Sequence, residues 1–268
     1  KMAVAESRDD ASATPAAAPQ ASRRLEVDHV LLYATAGVLG ARGGQVGVLD
    51  FDAGRAKAVA AEVGGLALQA DVGDETSVAA AMEALVAHYG TGPRIAVSCA
   101  GIADAARIVG REGRLSVELF QRVIRVNLTG SFIVMSHAAR AMQALDPLEG
   151  GERGVIVNTA SAAWEDGQVG QAAYAASKGG IASMCLPAAR ELARSGIRVM
   201  AIAPGLFRTP MMEALPPETT EAITANIPFP ARLGDPEEFG LMVAQIAENP
   251  YLNGTVIRLD AAVRLPPR

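Results

Sequence analysis

From Gln45 onward, short runs of apolar and β-branched residues alternate with longer stretches in which apolar positions recur every three or four residues. QVGVLD (45-50), LALQ (66-69), IAVSCAG (95-101), GVIVNTAS (154-161), IRVMAIAPG (197-205) and TVIRLD (255-260) read as strands, followed in several cases by a loop. GVIVNTAS is apolar along its length, the pattern of a strand covered on both faces. Helical spacing falls at 53-63, at 74-89 with Met82, Leu85 and Val86 on one side, from Phe120 to Met142, and from Ala172 to Arg194. This alternation predicts an α/β architecture, a doubly wound parallel sheet with helices on both faces. Six strands are legible where such a sheet has seven. Residues 1-22 have no apolar period and are expected to form a disordered tail before a single domain at 23-268.

Composition narrows the chemistry. Of 268 residues, 50% are hydrophobic and 20% charged, a globular balance. The net charge of -5 and the lack of any basic stripe argue against a nucleic-acid partner, since neutralising phosphates needs clustered Lys and Arg. Cys99 and Cys185 are the only cysteines and form no CxxC, so a reducing compartment is expected. His29, His88 and His137 lack metal-ligand spacing, and no metal site is expected. The longest apolar run, Val30 to Ala41, is too short for a bilayer, so no membrane association is expected. Glu6, Asp9 and Asp10 disfavour a mitochondrial targeting segment, which makes the cytoplasm the first expectation and the mitochondrial matrix the alternative.

Tyr174 and Lys178 carry the strongest chemical signal. Four residues apart on a helix, they place a phenol beside an ammonium. A phenol titrating near 10 is a poor base at neutral pH, but an adjacent cation favours phenolate, which can take a hydroxyl proton as hydride leaves. Ser161 ends an apolar strand at its carboxyl end, where open parallel sheets place their ligands, and its hydroxyl can polarise a carbonyl. Asn127 lies inside a helical pattern that mildly disfavours it, so a buried hydrogen bond or a water relay would account for it.

Together these residues resemble the tetrad of the short-chain dehydrogenase/reductase family, matched by Asn127, Ser161, Tyr174 and Lys178. The resemblance covers about residues 33-268 and implies a Rossmann-like fold, NAD as cofactor and a small alcohol or acyl-CoA substrate. Asp50 resembles the acid that hydrogen-bonds the adenosine ribose. Asp71 and Val72 look like the adenine-contacting pair. Cys99, Ala100 and Gly101 follow Ser98 in a segment similar to the family's Asn-x-Ala-Gly turn, with Ser in place of Asn loosening it. Pro204, Gly205, Phe207 and Thr209 lie in a PGxxxT segment that resembles the nicotinamide side, where Tyr174 and Lys178 would also meet the cofactor. Gln168 looks like a substrate-side residue beside Ser161 and Tyr174. Within the family, GQVGQAAYAASKGGI, PFPARLGDPEEF and NPYLNGTVIRLD resemble members that interconvert 3-hydroxyacyl-CoA and 3-ketoacyl-CoA in fatty acid metabolism. Relatives acting on steroids or other secondary alcohols are the alternative. A homo-oligomer, a tetramer joined through long helices such as 172-194, is implied too.

The beginning of the chain departs from this pattern. Thr35 to Gly40 cannot be the family's glycine-rich loop, because too little chain then remains before Gln45 for a helix. Aligned without a gap, Tyr33 to Arg42 resembles the first helix, and Leu25 to Leu32 takes the loop's place without a glycine. Glu26 and Asp28 there would repel a diphosphate. The first strand would fall near 21-24, Ala-Ser-Arg-Arg, a poor centre for a buried sheet, so the sheet is expected to lack it. Residues 1-32 thus read as foreign to the family. A non-catalytic scaffold that lost its cofactor clamp is the rival from another class.

Overall fold

The computed structural model describes residues 27-209, 218, 221 and 224-267, with side chains from Val30. The anticipated tail at 1-22 and the place of the strand near 21-24 lie outside the described residues. The chain alternates α1 (Val27–Ala41), β1 (Gly47–Asp50), α2 (Ala53–Val63), β2 (Leu66–Gln69), α3 (Glu75–Tyr89) and β3 (Ile95–Ser98). It continues with α4 (Val117–Val123), a π-helical segment (Ile124–Thr129), α5 (Gly130–Gln143), β4 (Gly154–Thr159), α6 (Ala172–Leu192), β5 (Ile197–Pro204), α7 (Pro236–Glu248) and β6 (Val256–Leu259). All strand pairs are parallel, as the alternation required.

Among the described residues the strands form two sheets: β1 pairs with β2, and β3, β4, β5 and β6 form a four-stranded sheet in that order. The ladder of β1 sends Val46 and Asp50 carbonyls to Leu66 and Ala70 of the β2 side, so by alternation Gly47 and Leu49 face away from β2. On β3, Arg94 O accepts from Val155, which leaves Ile95 and Val97 on the opposite edge. Gly47, Leu49, Ile95 and Val97 line one cavity between the two sheets. In the doubly wound order this slot belongs to a strand that precedes α1. The six strands among the described residues match the sequence reading.

Both faces are covered. Ile156, Val199 and Ala201 pack against Met135, Ala138 and Met142 of α5 and Cys185 and Ala189 of α6. Val155, Val157, Met200 and Ile202 pack against Leu31 of α1 and Phe239, Val243 and Ile246 of α7. Every residue of β4 and β5 is buried, and each large aliphatic side chain among them contributes about 1.5–3 kcal/mol. α1 crosses α7 closely because Gly240 has no side chain; a Cβ there would lie 2.9 Å from Ala34 O. α7 went unrecognised as a helix in the sequence, although Asp235 and Glu238 form a reciprocal capping box with Pro236 in the first turn. The single helix expected over 120-142 is α4, a π-helical segment and α5 run together.

Candidate active site

Parallel strands bring the candidate residues to one rim. Asp50 ends β1, Asp71 and Val72 follow β2, Cys99 to Gly101 follow β3, Ser161 follows β4, and Gly205 to Thr209 follow β5, all at carboxyl ends. Asp50, Asp71, Val72, Cys99, Ala100 and Gly101 line a common cavity of about 270 Å³. The tetrad, Gln168 and the Pro204, Gly205, Phe207 and Thr209 group are not part of its lining.

Asn127 is fully buried within the π-helical segment, a widened turn of the kind found at functional sites. Its Oδ1 accepts from Ile102 N at 2.8 Å, and its Nδ2 donates to Ile102 O at 2.9 Å and to Ser177 Oγ at 3.0 Å. Ser177 Oγ in turn donates to Tyr174 O at 2.8 Å. Asn127 is thereby tied to the helical turn that carries Tyr174. Ser177, read in the sequence only as spacing between Tyr174 and Lys178, makes that link; a buried serine inside the catalytic turn was the signal.

Lys178 is 1% exposed, and its Nζ donates to Thr159 O at 2.9 Å. The same Nζ lies 5.7 Å from the centroid of the half-buried Tyr174 ring. Burying an ammonium is costly unless it is hydrogen-bonded, which makes this placement specific. Ser161 is extended and buried, and its Oγ accepts from Ala163 N at 3.2 Å, capping the short 3₁₀ turn Ala162–Trp164. Ser98 Oγ reaches Ser131 Oγ at 3.4 Å, and Ser131 Oγ donates to Asn127 O at 2.7 Å. The serine that stands in for asparagine is therefore still linked to the Asn127 turn, over a long bond. Gln168 turns its Nε2 to Pro266 O at 2.9 Å, so the C-terminal segment takes one donor of the expected substrate-side amide.

At the adenosine end the residues suit a dinucleotide. The Asp50 carboxylate, with Oδ1 held by Asp52 N at 2.7 Å and Arg55 Nη2 at 3.3 Å, sits on the cavity's edge beside Asp71 and Val72. Where the glycine-rich loop is expected, α1 is helical from Val27, and residues 27-32 carry no glycine.

A parallel α/β body with an Asn, Ser, Tyr and Lys set on its carboxyl rim defines a dehydrogenase of the Rossmann-like class. A family profile described as enoyl-(acyl carrier protein) reductase matches residues 31–262. The human protein named 3-hydroxyacyl-CoA dehydrogenase type-2 is 47% identical over 238 residues, 87% of this chain and 91% of that protein. The human (3R)-3-hydroxyacyl-CoA dehydrogenase is 36% identical over 199 residues, 74% of this chain and 72% of that protein. A crystal structure of 3-hydroxyacyl-CoA dehydrogenase type-2 from Mycobacterium avium superposes with a TM-score of 0.84 at 41% identity, covering 90% of this chain and 95% of its own. The chain belongs to the short-chain dehydrogenase/reductase family. Among the described residues, no helix is long and apolar enough to cross a membrane.

Proposed function

We propose that the protein is an NAD-dependent oxidoreductase that interconverts a 3-hydroxyacyl-CoA and the 3-ketoacyl-CoA. The observation that carries this reading is the buried Lys178 ammonium beside the Tyr174 ring, on a turn tied through Ser177 to Asn127. Asp50, Asp71, Val72, Cys99, Ala100 and Gly101 would hold the adenosine half of the cofactor, and Pro204, Gly205, Phe207 and Thr209 would flank the nicotinamide. NAD, when bound, supplies the hydride acceptor. Lys178 favours the phenolate form of Tyr174, whose Oη takes the proton of the 3-hydroxyl and becomes the neutral phenol as hydride leaves the carbon. Ser161 Oγ donates to the substrate oxygen that becomes the carbonyl. Asn127 orients the turn and holds its proton-transfer route in register, while Gln168 borders the acyl group. Names of relatives support the acyl-CoA substrate and the family supports NAD. A cytoplasmic homotetramer is part of the same reading.

Acetoacetyl-CoA with NADH tests it. The wild-type protein should oxidise NADH, and Tyr174→Phe should lower kcat by about 10²–10⁴-fold without changing the fold. Folded wild-type protein without turnover would refute this substrate; a panel of secondary alcohols and steroids then tests the wider dehydrogenase reading. A second reading, a scaffold that has lost its clamp, is favoured by one observation, the helical start at Val27 where a glycine loop would stand. Titration calorimetry with NAD separates the two, since the scaffold binds none.

A further inference from the structure

The loop from Ser161 to Tyr174 is held by the C-terminal end of the chain. Arg258 lies on the edge strand β6, opposite Ala203 of β5, with its side chain 17% exposed. Its guanidinium meets three carboxylates: Nε donates to Asp260 Oδ2 at 2.7 Å, Nη2 to Asp166 Oδ2 at 2.7 Å, and Nη1 to Glu165. Nη2 also donates to Val263 O at 3.2 Å. Asp260, 7% exposed, accepts from Ala262 N through Oδ1 and packs on the segment after β5, where a Cβ on Gly205 would lie 2.7 Å from Asp260 Cβ. A few residues on, Gln168 Nε2 and Val169 N donate to Pro266 O and Pro267 O at 2.9 and 3.0 Å. One cation thus joins the nicotinamide-side segment, the loop after Ser161 and the chain's last turn.

We propose that Arg258 is a positioning residue, which fixes loop 162-171 so that Ser161 and Tyr174 face one substrate together. This rests on the dehydrogenase reading above. The loop starts at Ser161 and ends at the first turn of α6, so its shape sets the spacing of the two hydroxyls. Without the guanidinium, Glu165, Asp166 and Asp260 become three crowded carboxylates that repel one another, offset among the described residues by Arg264 beside Asp260. Lysine is a poor substitute, because one ammonium cannot present the planar fork that serves three acids.

The test uses the full chain with Arg258→Leu and Arg258→Lys. Three quantities are read: amide hydrogen exchange at 163-171, kcat and KM for acetoacetyl-CoA with NADH, and the NADH dissociation constant by fluorescence. In Arg258→Leu, exchange at 163-171 should accelerate and kcat should fall about 10–100-fold, as expected for a misplacement near 1 Å, while NADH affinity stays within about twofold. Arg258→Lys should lie between the leucine variant and wild type; it also decides the matter should the leucine variant not fold. Unchanged exchange and kcat in the folded variants would overturn the proposal, and so would a loss of NADH affinity in step with kcat. Should the wild type fail to turn over acetoacetyl-CoA, the substrate reading falls, and exchange at 163-171 alone decides whether Arg258 holds the loop.

Discussion

Replacing Asn127 by alanine removes three hydrogen bonds at a fully buried position: two from its Nδ2, to Ile102 O and Ser177 Oγ, and one received from Ile102 N. At about 1 kcal/mol net for each, the loss is about 3 kcal/mol. Orphaning both peptide groups of Ile102 would add to this, but Ile102 is only half-buried and water can reach it, which keeps the sum near that figure. For a chain of this size 1 kcal/mol corresponds to about 2–4 °C, so Asn127→Ala should melt about 6–12 °C below wild type. Asn127→Asp sharpens the test. It keeps the acceptor for Ile102 N but points a second oxygen at two acceptors in a dry site, so burial raises its carboxyl titration above that of the unfolded chain. Its destabilisation should therefore be small at low pH and grow as pH rises through the folded value. Differential scanning fluorimetry from pH 4 to 8 follows both variants. A melting change below about 2 °C for Asn127→Ala, or a pH-independent one for Asn127→Asp, would refute the accounting of these bonds.

Burial pushes the Cys185 thiol up to about 11, a backbone bond near Ala201 working weakly the other way, so iodoacetamide should spare it at pH 8 until the chain unfolds. Rapid alkylation of folded protein, followed by mass spectrometry, would contradict this. Hydrogen bonds from Arg232 and from the Asp235 backbone hold the Glu238 carboxyl down at about 2 against an ordinary 4.5. Its stabilisation is present above pH 4.5 and lost as pH falls towards 2; because both side chains are over a third exposed, Glu238→Gln should cost less than about 1 kcal/mol at pH 7 in urea denaturation and little at pH 2. Ala262, exposed at φ +62°, is strained as an L-residue, so Ala262→Gly should stabilise by about 1 kcal/mol, read as a higher urea midpoint.

Strands β4 and β5 were legible because both their faces are apolar, and Tyr174 with Lys178 because a helical spacing is local. What escaped the sequence was non-local or depended on an unusual turn. Arg258 meets Glu165 and Asp166 over separations of 93 and 92 residues, which no spacing rule reaches. The π-helical segment carries Asn127 and its bonds to Ile102 and Ser177, and the apolar pattern of 120-142 does not register a widened turn. α7 carried a readable capping signal that was absorbed into a longer segment of family likeness. The departure at the chain's beginning was legible as missing glycines, and it bears on the site unevenly. Asn127, Ser161, Tyr174 and Lys178 belong to the body built on β3 to β6 and helices α4 to α6, joined by the cluster around Ile156 and packed on α1 and α7 through the cluster around Val157. The place proposed for the diphosphate would border α1, whose Leu32 lines the cavity together with Asp50 and Gly101. A changed start should therefore weaken dinucleotide binding while leaving the proton-transfer geometry intact, raising KM for NAD more than it lowers kcat at saturating cofactor.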